Sequence, residues 1–209
     1  HAMRALELVR EAQSGRVSAQ ELAEYFLRRI ERYDQSLGLN AVGELNPQAL
    51  DEAKALEENA SPRDFPLFGL PILVNIDVAG LYTTAGSPAL ADNLARRDAP
   101  IVANLRRAGA VVLGKTHMTE FANYTALDMP NGYSALAGQV HSAYGAQCDP
   151  GGSSGFGGGR VRGVLRRCHR HGYQFFYRGL RHGARHCGLE ARLRRANQRR
   201  HCAHFAHAG

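Results

Sequence analysis

The residues best suited to chemistry are the two hydroxyls of Gly-Gly-Ser-Ser-Gly at 151–155, which has the form of a serine-centred active-site loop. Gly151 and Gly152 permit backbone conformations and close approaches that a side chain would block, and Ser153 and Ser154 are the groups such a turn would present. The plainer reading is a flexible Gly/Ser turn without a role. Asp77 and Glu120 invite an acid–base reading and His117 that of a general base. Capping or solvated side chains near strand ends account for these three more simply. Cys168, His169, His171, Cys187, His201, Cys202 and His204 raise the question of zinc. Cys168 and His171 are suitably spaced, but the second pair is irregular, and no metal is expected.

Basic charge is distributed unevenly along the chain. Residues 156–209 hold thirteen of the 26 Lys and Arg but only one of the 19 acids, Glu190, so the formal +7 of the whole belongs to this tail. The preceding part is net acidic. Nucleic-acid binding is therefore the alternative function, with the tail's arginines on phosphates and Tyr173, Phe175, Phe176, Tyr177 and Phe205 stacking on bases. Its stretches RVRGVLRR and ARLRRANQRR form no strong groove-reading motif, which disfavours it. No window approaches 18 consecutive apolar residues, and no positive-then-apolar pattern opens the chain, so neither a membrane span nor a signal peptide is expected. Three of the four cysteines lie in the tail and one, Cys148, before it. That is no disulfide framework, and it points to a reducing, cytoplasmic setting.

Elements must exist to position the loop at 151–155. Ser18 followed by Glu21 is a capping box, and Leu22, Phe26, Ile30 and Tyr33 recur at helical spacing, which predicts an amphipathic helix over 18–33. A second helix is predicted over 46–58, with Asn46 as cap, Pro47 at its first position, and Leu50, Ala53 and Leu56 in one stripe. The apolar run Ile72-Leu73-Val74 reads as a buried strand. Asp98 and Pro100 open a third helix that stops at Gly109, and a strand follows over 110–113. Helix, glycine stop and short β-branched strand are half of a βαβ unit, so the fold class is α/β with an at least partly parallel sheet. The polar stretch 121–150 is long for a loop in a compact domain, which favours a binding or catalytic use.

Several phrases in order carry a resemblance: GLPILVNIDVAG at 69–80, TTAGS at 83–87, DAPIVANLRRAGAVVLGKTHMTEFA at 98–122 and DPGGSSG at 149–155. In sequence and spacing this resembles the amidase signature family, over about 150 of the 209 residues. The resemblance implies a mixed, largely parallel sheet flanked by helices, incomplete as written. It also implies hydrolysis of a carboxamide to carboxylate and ammonia or amine by a Ser–Ser–Lys triad. A lysine can hold a serine proton only where desolvation populates its neutral amine. A bridging serine relays that proton, and backbone N–H groups of a glycine-rich turn meet the oxyanion. By this resemblance Ser153 is the bridging catalytic serine, with Gly151, Gly152 and Ser154 as its substrate-binding turn. The stretch 124–135 resembles the part lining the acyl pocket, where Met129 and Tyr133 either contact substrate or pack the loop. The implied partner is a small-molecule amide, with no metal or organic cofactor and no membrane.

Two departures matter. The family pattern has Lys-Asp between the apolar strand and Asn-Ile-Asp, and that lysine is the triad base; here Val74 runs directly into Asn75. Lys115 is the nearby substitute, although it follows a different strand, where the family also has a lysine outside the triad. The second departure starts at Phe156. The 54 residues of the tail contain no Ser, Thr, Ile, Lys, Asp, Met, Pro or Trp, the vocabulary of GC-rich codons read out of frame. Dropping one base from the degenerate codons of 168–177 and 186–191 permits phrases similar to the family's own. The expected organisation is thus an amidase-type part at 3–155 and an out-of-frame continuation at 156–209. A nucleophilic serine downstream of Ser154 is not among these residues.

Overall fold

The computed structural model describes residues 5–124, 128–142, 148, 150 and 151. Helix α1 (Ala5–Gln13) buries Leu8, Val9 and Ala12 and is tied across the fold by Gln13 Nε2 donating to the Phe65 carbonyl at 2.9 Å. Helix α2 (Ala19–Tyr33) begins as its sequence dictates. The Glu21 N–H donates to Ser18 Oγ at 3.0 Å and the Ser18 N–H donates to Glu21 Oε2 at 2.8 Å, so both halves of the capping box form. Its apolar stripe of Leu22, Ala23, Phe26 and Ile30 is buried.

Three strands make the main sheet, in the order β1 (Val42–Leu45), β3 (Val111–Thr116), β2 (Pro71–Val74). The β2–β3 pair is parallel and the β1–β3 pair antiparallel, so the sheet is mixed and the chain is α/β as expected. All four residues of β2 and all six of β3 are buried, the signature of strands covered on both faces. Helix α2 packs on β2 and β3, and α3 (Ala49–Asn59) packs on α2 and β3. Each pairing shifts register once, β2 between Ile72 and Leu73, opposite Val112 and Gly114, and β1 between Val42 and Glu44, opposite Thr116 and Lys115. A Cβ on Gly114 would stand 2.2 Å from the Glu44 carbonyl oxygen, so only glycine lets β1 cross this close.

Two predicted helix starts are corrected. Helix α3 begins at Ala49, and Asn46 does not cap it directly. Its amide bridges inward, Nδ2 donating to the Val112 carbonyl at 2.9 Å and to Glu52 Oε1 at 3.0 Å, while Oδ1 accepts from the Gln48 N–H. The amide nitrogen thus ties β3 to the first turn of α3, while the oxygen meets the N–H of the residue just ahead of the helix. Helix α4 (Pro100–Arg107) likewise has no side-chain cap. Asp98 accepts instead from the Ala79 N–H at 2.8 Å and sits 3.1 Å from Arg106 Nε. The strand after Gly109 runs to Thr116, three residues beyond the predicted Leu113, and α1 and β1 are elements the sequence reading does not contain. No helix among the described residues is long and apolar enough to cross a membrane.

Candidate active site

Among the described residues, several buried polar side chains, Lys115, Thr116, Thr119, Ser87 and Ser134, gather where β2 and β3 end. Lys115 is the penultimate residue of β3 and pairs with Val74, the last of β2, so it stands beside the junction where Val74 meets Asn75. Although its strand is buried on both faces, its side chain finds a route out: Nζ donates to the Tyr82 carbonyl at 2.6 Å and to Thr83 Oγ1 at 2.7 Å. Burial pushes the ammonium down to about 8, and the carboxylates of Asp77 and Glu44 oppose that shift through space. Glu44 also fixes the loop, since its Oε2 accepts from the Tyr82 N–H at 2.8 Å. A cavity of about 290 Å³ opens here, lined among others by Lys115, Thr83, Thr84, Asn75, His117 and Met118.

Three loops are laced together over this cavity. Gly86, at φ +73°, brings 83–87 against Ser134 and the Met118 carbonyl, where a Cβ would meet atoms at 3.0 and 3.1 Å. The Phe121 N–H donates to the Ala85 carbonyl at 2.9 Å. The segment after β3 then takes three consecutive left-handed residues, Phe121, Ala122 and Asn123, at φ of 43°, 56° and 68°. Such strain in non-glycine residues persists only where the surroundings over-determine it, and it clusters at functional sites. The loop returns through a hairpin of β4 (Tyr133–Ser134) and β5 (Gly138–Gln139). Thr119, fully buried, accepts from the Gly132 N–H at 2.8 Å. Gly132 in turn faces Pro150, whose Cγ lies 2.8 Å from where a Cβ on Gly132 would stand. Pro150, just ahead of the glycine–serine turn, therefore lies against the loop that follows β3.

Of the residues expected from sequence, Gly151 is buried and has φ +77°, a left-handed backbone that only glycine adopts without strain. Ser153, Gly152 and Ser154 lie outside the described residues, as do the tail cysteines and histidines. Met129 is half-buried in the loop before the hairpin, and the methionine lining the cavity is Met118. Glu120 is spent on structure, accepting from the Ala135 N–H at 2.9 Å. His117 also has a packing role. Its ring lies against the Gly43 backbone, and burial lowers its pKa while Asp34 partly restores it. Asp77 is exposed and acts on the site through its field on Lys115. Cys148 is buried and disulfide-bonded, so the lone cysteine of residues 3–155 does not read as a free thiol. No cluster of three or more metal-ligating side chains exists among the described residues.

Sequence reasoning missed Thr83. It sits in the quoted phrase TTAGS, but nothing in that phrase shows that a residue 32 positions away would place an amine on its hydroxyl.

The chain matches the model of the Amidase family over residues 21–161. It is 34% identical to a probable amidase of Arabidopsis thaliana over 146 residues, which is 66% of this chain and 28% of that protein. It is 39% identical to a glutamyl-tRNA(Gln) amidotransferase subunit from Exiguobacterium sibiricum over 143 residues, 68% of this chain and 28% of that one. Among solved structures, the peptide amidase of Stenotrophomonas maltophilia superposes with a TM-score of 0.72 at 37% identity, over 78% of this chain and 34% of its own. An amidase family protein from Bacillus anthracis gives 0.72 at 36% identity, over 79% and 34%. The chain thus spans about a third or less of the proteins it matches. With a family match over two-thirds of its length and the same fold at more than a third identity, the chain belongs to the amidase family.

Proposed function

We propose that the chain serves amide hydrolysis, converting a small-molecule carboxamide to carboxylate and ammonia or amine without metal or organic cofactor. The family match through residue 161, which includes the glycine–serine turn, carries this reading. In it Ser153 relays the proton, Gly151, Gly152 and Ser154 form the substrate-binding turn, and Met129 contacts the acyl group. The left-handed Gly151 supports the turn, since the chain enters it in a conformation closed to other residues. Residues 3–155 form the amidase part and 156–209 an out-of-frame continuation. A cytoplasmic setting belongs to the same proposal, on the acidic, span-free sequence of the first part.

On this reading the 209-residue chain is a poor catalyst as it stands. Val74 joins Asn75 with no lysine between them, and 156–209 holds no serine to be acylated. Protein of verified mass should therefore turn over simple carboxamides at or near background. Inserting Lys-Asp between Val74 and Asn75 and restoring the frame after Gly155 should raise kcat/KM by about 10³-fold or more, and Ser153→Ala should remove that gain. Robust turnover by the unaltered chain would refute the two departures. A folded, restored chain with no Ser153-dependent activity would refute amide hydrolysis itself.

A further inference from the structure

Among the described residues, the Thr83 hydroxyl is already seated on an amine. Thr83 Oγ1 lies 2.7 Å from Lys115 Nζ, at the wall of the 290 Å³ cavity, and the Tyr82 carbonyl holds the same nitrogen at 2.6 Å. A nucleophile and a base in hydrogen-bond contact, with a third group orienting the base, is the arrangement that activates hydroxyls for covalent chemistry. We infer that Thr83 and Lys115 form a nucleophile–base pair, at which a small activated ester transfers its acyl group to the Thr83 hydroxyl.

The hydrogen bonds fix the protonation logic. As an ammonium, Lys115 donates to both neighbours. When it is neutral, one N–H still serves the Tyr82 carbonyl and the lone pair is left for the Thr83 proton. Among the described residues no carboxylate shares a hydrogen bond with Nζ: Asp77 and Glu44 act only through space, and Glu44 is held by the Tyr82 N–H. Burying an ammonium on two neutral acceptors is costly, and the same burial makes the free amine accessible near pH 8. Lys115 itself is buried to 7% exposure, whereas Thr83 is half-exposed at the cavity wall, so the hydroxyl is the atom an ester can reach. The N–H groups of Thr84 and Ala85, next in the chain, make no hydrogen bond among the described residues and are available to an oxyanion. In the transfer, the Thr83 Oγ–carbonyl bond forms and the ester C–O bond breaks. The hydroxyl proton passes to Lys115 Nζ and leaves with the departing alkoxide, so atoms and charge balance. The volume admits short acyl groups.

The test treats the purified chain with p-nitrophenyl acetate and follows p-nitrophenolate release, intact mass and peptide mapping. One acetyl group per chain on Thr83 is expected, at a rate that rises with pH and levels above about 8. Thr83→Ser should keep the reaction and the isosteric Thr83→Val should lose it. Lys115→Arg, which keeps the charge but cannot take a proton, should slow it about 10²-fold with an unchanged circular dichroism spectrum. Acetyl found on the Lys115 amine, or spread over surface amines equally in wild type and Thr83→Val, would overturn the inference. Mapping of the wild type decides even where a variant fails to fold. Ser153→Ala should be acetylated as wild type is. Loss of labelling there would place the acylation at the 151–155 turn, overturning this inference while leaving the amide-hydrolysis reading intact.

Discussion

Where α2 leans on β2 and β3, the buried side chains include Leu22, Phe26, Ile30, Leu73 and Val112, all of them apolar. At the C-terminal ends of the same two strands the buried side chains include Lys115, Thr116, Thr119, Ser134 and Ser87. The first region is held by area removed from water, which is non-directional and forgiving of detail. The second is held by named hydrogen bonds and by backbone conformations that few residues tolerate, so each position there depends on its partner. Among the described residues, the first region is part of the apolar core and the second holds Lys115 with its hydrogen-bond partners. The contrast predicts that disturbances should be largest where the two regions meet and smallest on the outer surface of α2.

Gly114 is that meeting point. The β2–β3 register shift occurs beside it, and a methyl there would collide with the Glu44 carbonyl oxygen and with Leu45 Cα at 2.8 Å, both backbone atoms that cannot swing away. Gly114→Ala should cost upwards of about 4 kcal/mol, a large part of the stability of a small domain, and should leave most of the chain unfolded in denaturant titrations. A loss below about 1 kcal/mol would mean that β1 can separate from β3 freely, and the sharp boundary between the regions would be lost with it.

Lys115 sharpens the comparison from within the loop-covered end. Its folded pKa of about 8 lies below the ordinary 10.5, so between these values the unfolded chain binds more protons than the folded one. Stability linked to this group therefore rises with pH through that window, by about 3 kcal/mol over its full width. The penalty is fully present below pH 8. Unfolding midpoints measured from about pH 7.5 to 10.5 should climb in the wild type and not in Lys115→Met. The same slope in both proteins would show that the amine is solvated rather than buried.

The sequence was legible in the first region and nearly silent in the second, for a physical reason. Local signals such as the Ser18–Glu21 box, the 3.6-residue stripe of α2 and the continuous apolar run of β2 depend only on neighbours in the chain. Asp98 carries the right local signal for a helix cap, yet its carboxylate accepts from the Ala79 N–H and faces Arg106 Nε, and a propensity argument cannot see those competitors. Strand β1 has only four residues, and its pairing depends on the glycine of another strand. The Lys115–Thr83 contact spans 32 residues and the Asn40–Ala137 contact 97, distances at which no motif speaks. Gly151 is left-handed, a backbone that glycine accepts by type, and the rest of the glycine–serine turn lies outside the described residues.

The smallest expected effect lies on the helical side. Ser18 is at the exposed start of α2, and its hydroxyl satisfies one orphan donor, the Glu21 N–H, while the Glu21 carboxylate returns the bond to the Ser18 N–H. Removing the hydroxyl exposes that donor to water rather than burying it unsatisfied, so Ser18→Ala should cost about 1 kcal/mol. Ser18→Asp should recover most of it, because a carboxylate caps as well as a hydroxyl and suits the positive end of the helix. Thermal unfolding of the three proteins measures both steps. If Ser18→Ala instead cost as much as Gly114→Ala, the start of α2 would be coupled to the strand junction. Stability and chemistry would then share one network rather than occupy two regions.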